Sequence, residues 1–89
     1  MRKIAVMVRE RESEALRMAL GLTLMDDKVD VFVLDRRLTG SEEDLMNIDL
    51  MKEMGIRIFS NRRDNPQAEY RTTEEIARQV LDYEHVLPY

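Results

Sequence analysis

Three pairs of arginines stand just past three apolar, strand-like runs. Ile4-Ala5-Val6-Met7-Val8 leads into Arg9 and Arg11, and Val31-Phe32-Val33-Leu34 into Arg36 and Arg37. Ile56-Arg57-Ile58-Phe59 leads into Arg62 and Arg63. Guanidinium forks match carboxylates and phosphates through paired N–H groups, so the chemistry within reach is anion binding. If the runs are parallel strands, all six cations share the rim where α/β proteins bind ligands. Two other arrangements use the same residues. The arginines are neutralised within the chain by Glu10, Glu12, Asp35 and Asp64, or they form salt bridges between subunits.

Few other residue types offer chemistry. The 89-residue chain has no cysteine, which removes thiolate nucleophiles and Cys-ligated zinc or iron–sulfur centres. His85 is the only histidine and falls at the start of the last strand, a structural or solvated place. No Ser or Thr has a readable base partner. Only Gly21, Gly40 and Gly55 exist, and none follows the first strand, so there is no glycine-rich phosphate loop. No catalytic residue, metal site or cofactor is therefore expected. A net charge of −4 and a pI of about 5.0 argue against nucleic acid as a partner. No apolar run approaches the ~20 residues of a membrane helix, and the start of the chain does not read as a signal peptide. The expectation is a cytoplasmic protein with no membrane partner.

The elements that must position the arginines are legible. One domain is expected over 1–89, as βαβαβαβ: a three-layer α/β/α sandwich with a mostly parallel four-stranded sheet. Strands are predicted over Lys3–Val8, Val29–Asp35 and Ile56–Ser60, with a short last one over His85–Tyr89. A flavodoxin-like order with the first strand central is the expectation. The first helix, about Glu14–Met25, takes Ser13 as N-cap. It is apolar around most of its circumference, which predicts either deep packing or a subunit interface, and so a homo-oligomer. Ser41 with Asp44 resembles a capping box for a second helix that ends near Met54, with Gly55 as its stop. Asn61–Arg71 reads as a polar loop with a turn at Asn65-Pro66. Thr72 and Glu75 cap a third helix whose inward residues are predicted as Ile76, Ala77, Val80 and Leu81.

Taken together, the chain resembles the DsrE-like (DsrE/DsrF-like) family of small sulfur-relay proteins. The resemblance is carried by the opening strand, by Ala15-Leu16-Arg17-Met18-Ala19-Leu20-Gly21-Leu22 and by Val29–Leu34. It continues through Met54-Gly55-Ile56-Arg57-Ile58-Phe59 and the end from Thr73 to Tyr89. Active members carry a persulfide cysteine at the end of the third strand. That position falls here on Asn61, or on Ser60 with a one-residue shift, and neither can form a persulfide. The resemblance therefore implies a non-catalytic protein, an oligomeric subunit, regulator or binding module, with a cysteine-bearing DsrE-like chain as a possible hetero-oligomeric partner. The alternative is a small α/β module that binds an anionic metabolite or nucleotide at the arginine rim.

Overall fold

The computed structural model describes residues 2–25, 27–38 and 42–89, without the side chains of Glu43 and Asp44. The elements are β1 (Lys3–Val8), α1 (Glu12–Leu24), β2 (Lys28–Val33), α2 (Glu42–Glu53), β3 (Arg57–Ser60), β4 (Glu69–Tyr70), α3 (Thr73–Gln79), a 3₁₀ turn (Val80–Asp82) and β5 (His85–Pro88). The strands form one five-stranded sheet in the order β4-β3-β2-β1-β5. Every pairing is parallel, with Val6 beside Val31, Val31 beside Ile58 and Ala5 beside Val86.

Two expectations are corrected. The sheet has five strands, not four, because Glu69–Tyr70 pairs with Phe59–Ser60 inside the segment read as a loop. A strand of two residues in a polar segment carries no alternation to detect. The order is not flavodoxin-like either. β2 is central, and β1 lies between β2 and β5.

Alternation along the strands sorts the core into two layers. Ile4, Val6, Val8, Val29, Val31, Val33 and Ile58 face Ala15, Leu16 and Ala19 of α1 and Ile48 and Met51 of α2. Ala5, Phe32 and Phe59 face Ile76 of α3 and Tyr83. Helices thus cover both faces, as strands apolar on both sides require. Fully burying a side chain such as Leu16 or Phe32 is worth about 1.5–3 kcal/mol.

The apolar first helix is mostly absorbed by its own domain. Ala15, Leu16 and Ala19 are buried, and Leu20 and Leu22 pack against the core. Met18, Leu24 and Met25 stay exposed. The total accessible surface, 5468 Å², matches the roughly 5400 Å² that size scaling gives for a compact monomer of this mass.

Helix ends differ in how well their signals hold. Thr72 and Glu75 form the expected reciprocal capping box on α3. α1 instead begins at Glu12, with Arg11 at the N-cap and no side-chain cap, so Ser13 lies inside the helix. The Ser41/Asp44 capping box lies outside the described residues. Gly55 ends α2 at φ 85°, a left-handed conformation that favours glycine. In α3 only Ile76 is buried, while Ala77 and Leu81 are exposed. The turn tightens to 3₁₀ at Val80, which breaks the 3.6-residue period that would have turned Leu81 inward.

Candidate functional site

Because β1, β2 and β3 are mutually parallel, Arg9, Arg11, Arg36, Arg37, Arg62 and Arg63 all follow carboxyl ends of strands and share one rim. His85 sits at the opposite end of the sheet, beside Ile4 at the start of β1.

The rim past β2 and β3 is closed by amide side chains. Asn65 is 2% exposed. Its Nδ2 donates to the Arg36 carbonyl at 2.9 Å and to Ser60 Oγ at 2.8 Å, and its Oδ1 accepts from Leu38 N–H at 2.7 Å. Ser60, fully buried, also accepts from Arg62 N–H at 3.1 Å. Asn61 clamps Asp35 from both sides. Its Oδ1 accepts from Asp35 N–H and its Nδ2 donates to Asp35 Oδ1, both at 2.8 Å, while Nδ2 also donates to Thr73 Oγ1 at 3.1 Å. The clamp holds Asp35 at φ 58°, a left-handed conformation that Asp tolerates better than most residues. Ser60 and Asn61 are thus tied into the framework.

The arginines divide into held and free. Arg62 makes a two-point pair with Asp64, at 2.9 and 2.7 Å, which raises its own pKa and holds the Asp64 carboxyl below its ordinary value. Arg36 crosses to the first loop. It donates to the Arg9 and Glu10 carbonyls at 3.0 and 3.2 Å and lies 3.5 Å from Glu12. Arg11 is 3.5 Å from Glu14, with both side chains well exposed, and its guanidinium lies over the Tyr89 ring. Arg63 lies over Tyr70, 4.3 Å from the ring centre. Among the described residues, Arg9, Arg37 and Arg63 form no ion pair within 4 Å.

The strand order gives the rim a preferred place. β1 to β4 progress to one side and β5 lies on the other, so the order reverses between β1 and β5. Open α/β sheets bind ligands at such reversals. A cleft of about 250 Å³ lies there, lined by Arg9, Glu10, Arg11, Pro88 and Tyr89. A second, of about 380 Å³, adjoins the start of α1 between Arg11, Arg17 and Arg36.

Sequence reasoning missed a buried ionic cluster on the α3 face. Asp30 is fully buried in β2. It accepts from Arg57 of β3 through Nε at 3.2 Å and Nη2 at 2.8 Å, and from the Tyr83 hydroxyl. Burial pushes the Asp30 carboxyl up, but the Arg57 and Tyr83 hydrogen bonds outweigh it and hold the group below its ordinary value. Burial, followed by the Asp30 contact, pushes the Tyr83 hydroxyl up to about 12. Lys3 lies over the Tyr83 ring. The available signal was one acid in an apolar strand and one base in another. The cluster anchors the segment leading into β5, with Asp30 buried and the Arg57 side chain 51% exposed.

Among the described residues, no three His, Asp or Glu side chains group as a metal site, and no helix is long and apolar enough to cross a membrane. No family model, curated protein or solved structure matches the chain.

Proposed function

We propose that this chain is a non-enzymatic binding module for a small phosphorylated or carboxylate-bearing ligand, held at the arginine rim. One observation carries the reading. Arg9, Arg37 and Arg63 stand on one rim and form no ion pair within 4 Å among the described residues, Arg37 acting on Asp64 only at longer range, although the chain is acidic overall. Free guanidinium groups beside low-dielectric walls concentrate positive potential where strand ends already favour ligands. A thermal-shift screen with nucleotides, phosphorylated metabolites and dicarboxylates tests it. A ligand selective for the folded chain raises Tm by mass action, by an amount that grows with concentration. A Tm unmoved by every ligand at millimolar concentration overturns the reading.

A second reading has its own support: a cytoplasmic, non-catalytic DsrE-like subunit that works in an oligomer. The sequence resemblance favours it. So do the exposed Met18, Leu24, Met25, Met46 and Leu50 on the two helices that pack side by side over one sheet face. The hydrogen-bonded Ser60 and Asn61 agree with a scaffold that does not carry sulfur. Light scattering at micromolar concentration should give a mass above 10.5 kDa, alone or with a cysteine-bearing partner. Incubation with a persulfide donor should leave no covalent sulfur on the chain. A clean monomer that ignores such partners, or a sulfur-labelled chain, contradicts this reading.

A further inference from the structure

The outward faces of α1 and α2 carry three features that packing within the chain does not account for. Five of the seven large apolar side chains exposed among the described residues lie there: Met18, Leu24 and Met25 on α1 and its C-cap, Met46 and Leu50 on α2. Exposed apolar residues scattered singly are ordinary, but these collect on two helices that lie side by side over one sheet face. The second feature is acidic. Met46, Asp49, Leu50 and Glu53 fall at i, i+3, i+4 and i+7 and so share one face of α2, opposite the buried Ile48 and Met51. Asp49 and Glu53 are exposed and form no ion pair within 4 Å among the described residues. Like charges four residues apart weaken a helix, and an acid in the last turn opposes its dipole. The third feature is Gly21, exposed in α1 on the face of Met18 and Met25. A Cβ there would meet nothing within 4 Å, so no neighbour in the chain requires a glycine that weakens the helix.

A helix laid across this face accounts for all three. The apolar side chains are its anchors, and methionine adapts to the shape of what it meets. A glycine lets two backbones approach closely, because no Cβ stands between them. Acids beside the anchors take cations from the partner, which fixes its charge. A second copy of the chain supplies too few. Five of the twelve residues of α2 are acidic and one, Lys52, is basic, so two α2 helices related by a two-fold axis repel. The only cation within α1 is Arg17. Anionic lipid headgroups are repelled by the same acids.

We propose that the α1/α2 face receives a basic amphipathic helix from another protein. Its apolar stripe lies on Met18, Met25, Met46 and Leu50, its backbone crosses α1 at Gly21, and its lysines or arginines pair with Asp49 and Glu53. Recognition of this kind uses apolar anchors at helical spacing for affinity and the flanking charges for orientation. The inference rests on the subunit reading above, to which it adds the chemistry of the partner, and it is independent of the anion site on the rim.

The probe is a synthetic leucine–lysine peptide of about 18 residues, five turns of amphipathic helix, titrated into the full chain and followed by calorimetry and two-dimensional NMR. Amide signals of α1 and α2 should shift while those of α3 hold. A scrambled peptide of the same composition should bind at least about tenfold weaker, since burying a single apolar anchor is already worth that much. Gly21→Leu fits the free chain and should raise Tm through helix propensity, yet weaken peptide binding by roughly tenfold because the added side chain blocks the approach. Asp49→Asn with Glu53→Gln should leave Tm unchanged or higher and weaken binding by up to about fivefold for each lost pair. Equal binding of the two peptides, binding untouched by Gly21→Leu, or no binding at all overturns the inference. A mass twice 10.5 kDa that Met46→Lys returns to 10.5 kDa puts a second copy on this face. That result overturns the basic helix and leaves the subunit reading standing. A monomer that binds the amphipathic peptide through this face supports the inference and removes self-association from the subunit reading.

Discussion

The two halves of the carboxyl rim are built from the same kinds of residue and end in opposite conditions. Past β2 and β3, Asn61 and Asn65 saturate their amides on Asp35, Arg36, Leu38, Ser60 and Thr73. Past β1 and β5, the Glu10 and Arg11 N–H groups converge on the Tyr89 main-chain oxygen alone, and Arg9 has no ion pair among the described residues. Burial explains the difference. Ser60 and Asn65 lie in the protein interior, where an unpaired polar group is costly, so the fold must satisfy them internally. The β1/β5 half faces water, which satisfies polar groups without fixing them and so leaves them available to a ligand. A polar cluster at strand ends is thus no evidence of a site until its hydrogen bonds have been assigned.

The largest expected effect breaks the closed half. Asn65→Ala strips partners from the Leu38 N–H, the Arg36 carbonyl and Ser60 Oγ at once. A loss of roughly 2–3 kcal/mol of stability is expected in urea unfolding, since each buried orphan costs about 1–3 kcal/mol and water recovers part of it. Phosphate affinity at the other half should hold within twofold. If affinity falls along with stability, the two halves are one unit and the comparison fails.

The anchor of β5 makes a pH signature next in size. The Asp30 pKa is depressed, so its contribution is present above the unfolded carboxylate pKa and is lost as pH falls through the lower folded value. The Tyr83 hydroxyl is raised from 10.0 to about 12, so the folded state keeps a proton that the unfolded chain has released. Its contribution is present below pH 10.0 and is lost as pH climbs towards about 12. Thermal unfolding should therefore weaken at both extremes, and Tyr83→Phe should flatten the alkaline limb and, by taking one of Asp30's hydrogen-bond donors, reduce the acid limb as well. An unchanged alkaline limb in that variant contradicts the assignment.

The strands that position the rim were legible because Ile4 to Val8, Val29 to Val33 and Ile58 to Phe59 are apolar runs with clear turn signals between them. Arginines after three strands were legible for the same reason. β4 was not, because a two-residue strand has no period. Strand order depends on long-range packing, which no local pattern records, and with it went the β1/β5 reversal and its cleft. Asn65 read only as a turn residue, because a sequence shows its Asn-Pro neighbour and not the three groups it reaches. Asp30 and Arg57 pair across strands 27 positions apart in the chain, so neither could be assigned until β2 and β3 were known to be adjacent.

A smaller effect sharpens the open half. Arg9→Glu places a negative charge in the β1/β5 cleft and removes a guanidinium that has no ion pair to lose among the described residues. Phosphate affinity should fall about tenfold, or ~1.4 kcal/mol, with Tm nearly unchanged without ligand. The difference between variant and wild type should shrink as salt is raised from 0.05 to 0.5 M by roughly the screening expected of exposed charges. A variant that binds phosphate as well as the wild type removes Arg9 from the site.

The smallest expected effect discriminates best between the arginines. Arg62 follows β3 just as Arg9 follows β1, but Asp64 holds both arms of its fork at 2.9 and 2.7 Å. A guanidinium already bonded to a carboxylate must break that pair before it can bind another, and a pair so exposed contributes little to folding. Arg62→Ala should therefore change neither Tm nor phosphate affinity measurably. Asp64→Asn should release the guanidinium and raise phosphate affinity slightly, at most about twofold, and only at low salt. If Arg62→Ala weakens phosphate binding as much as Arg9→Glu, the rim acts as one undivided field of charge, and pairing within the chain does not decide which arginines bind.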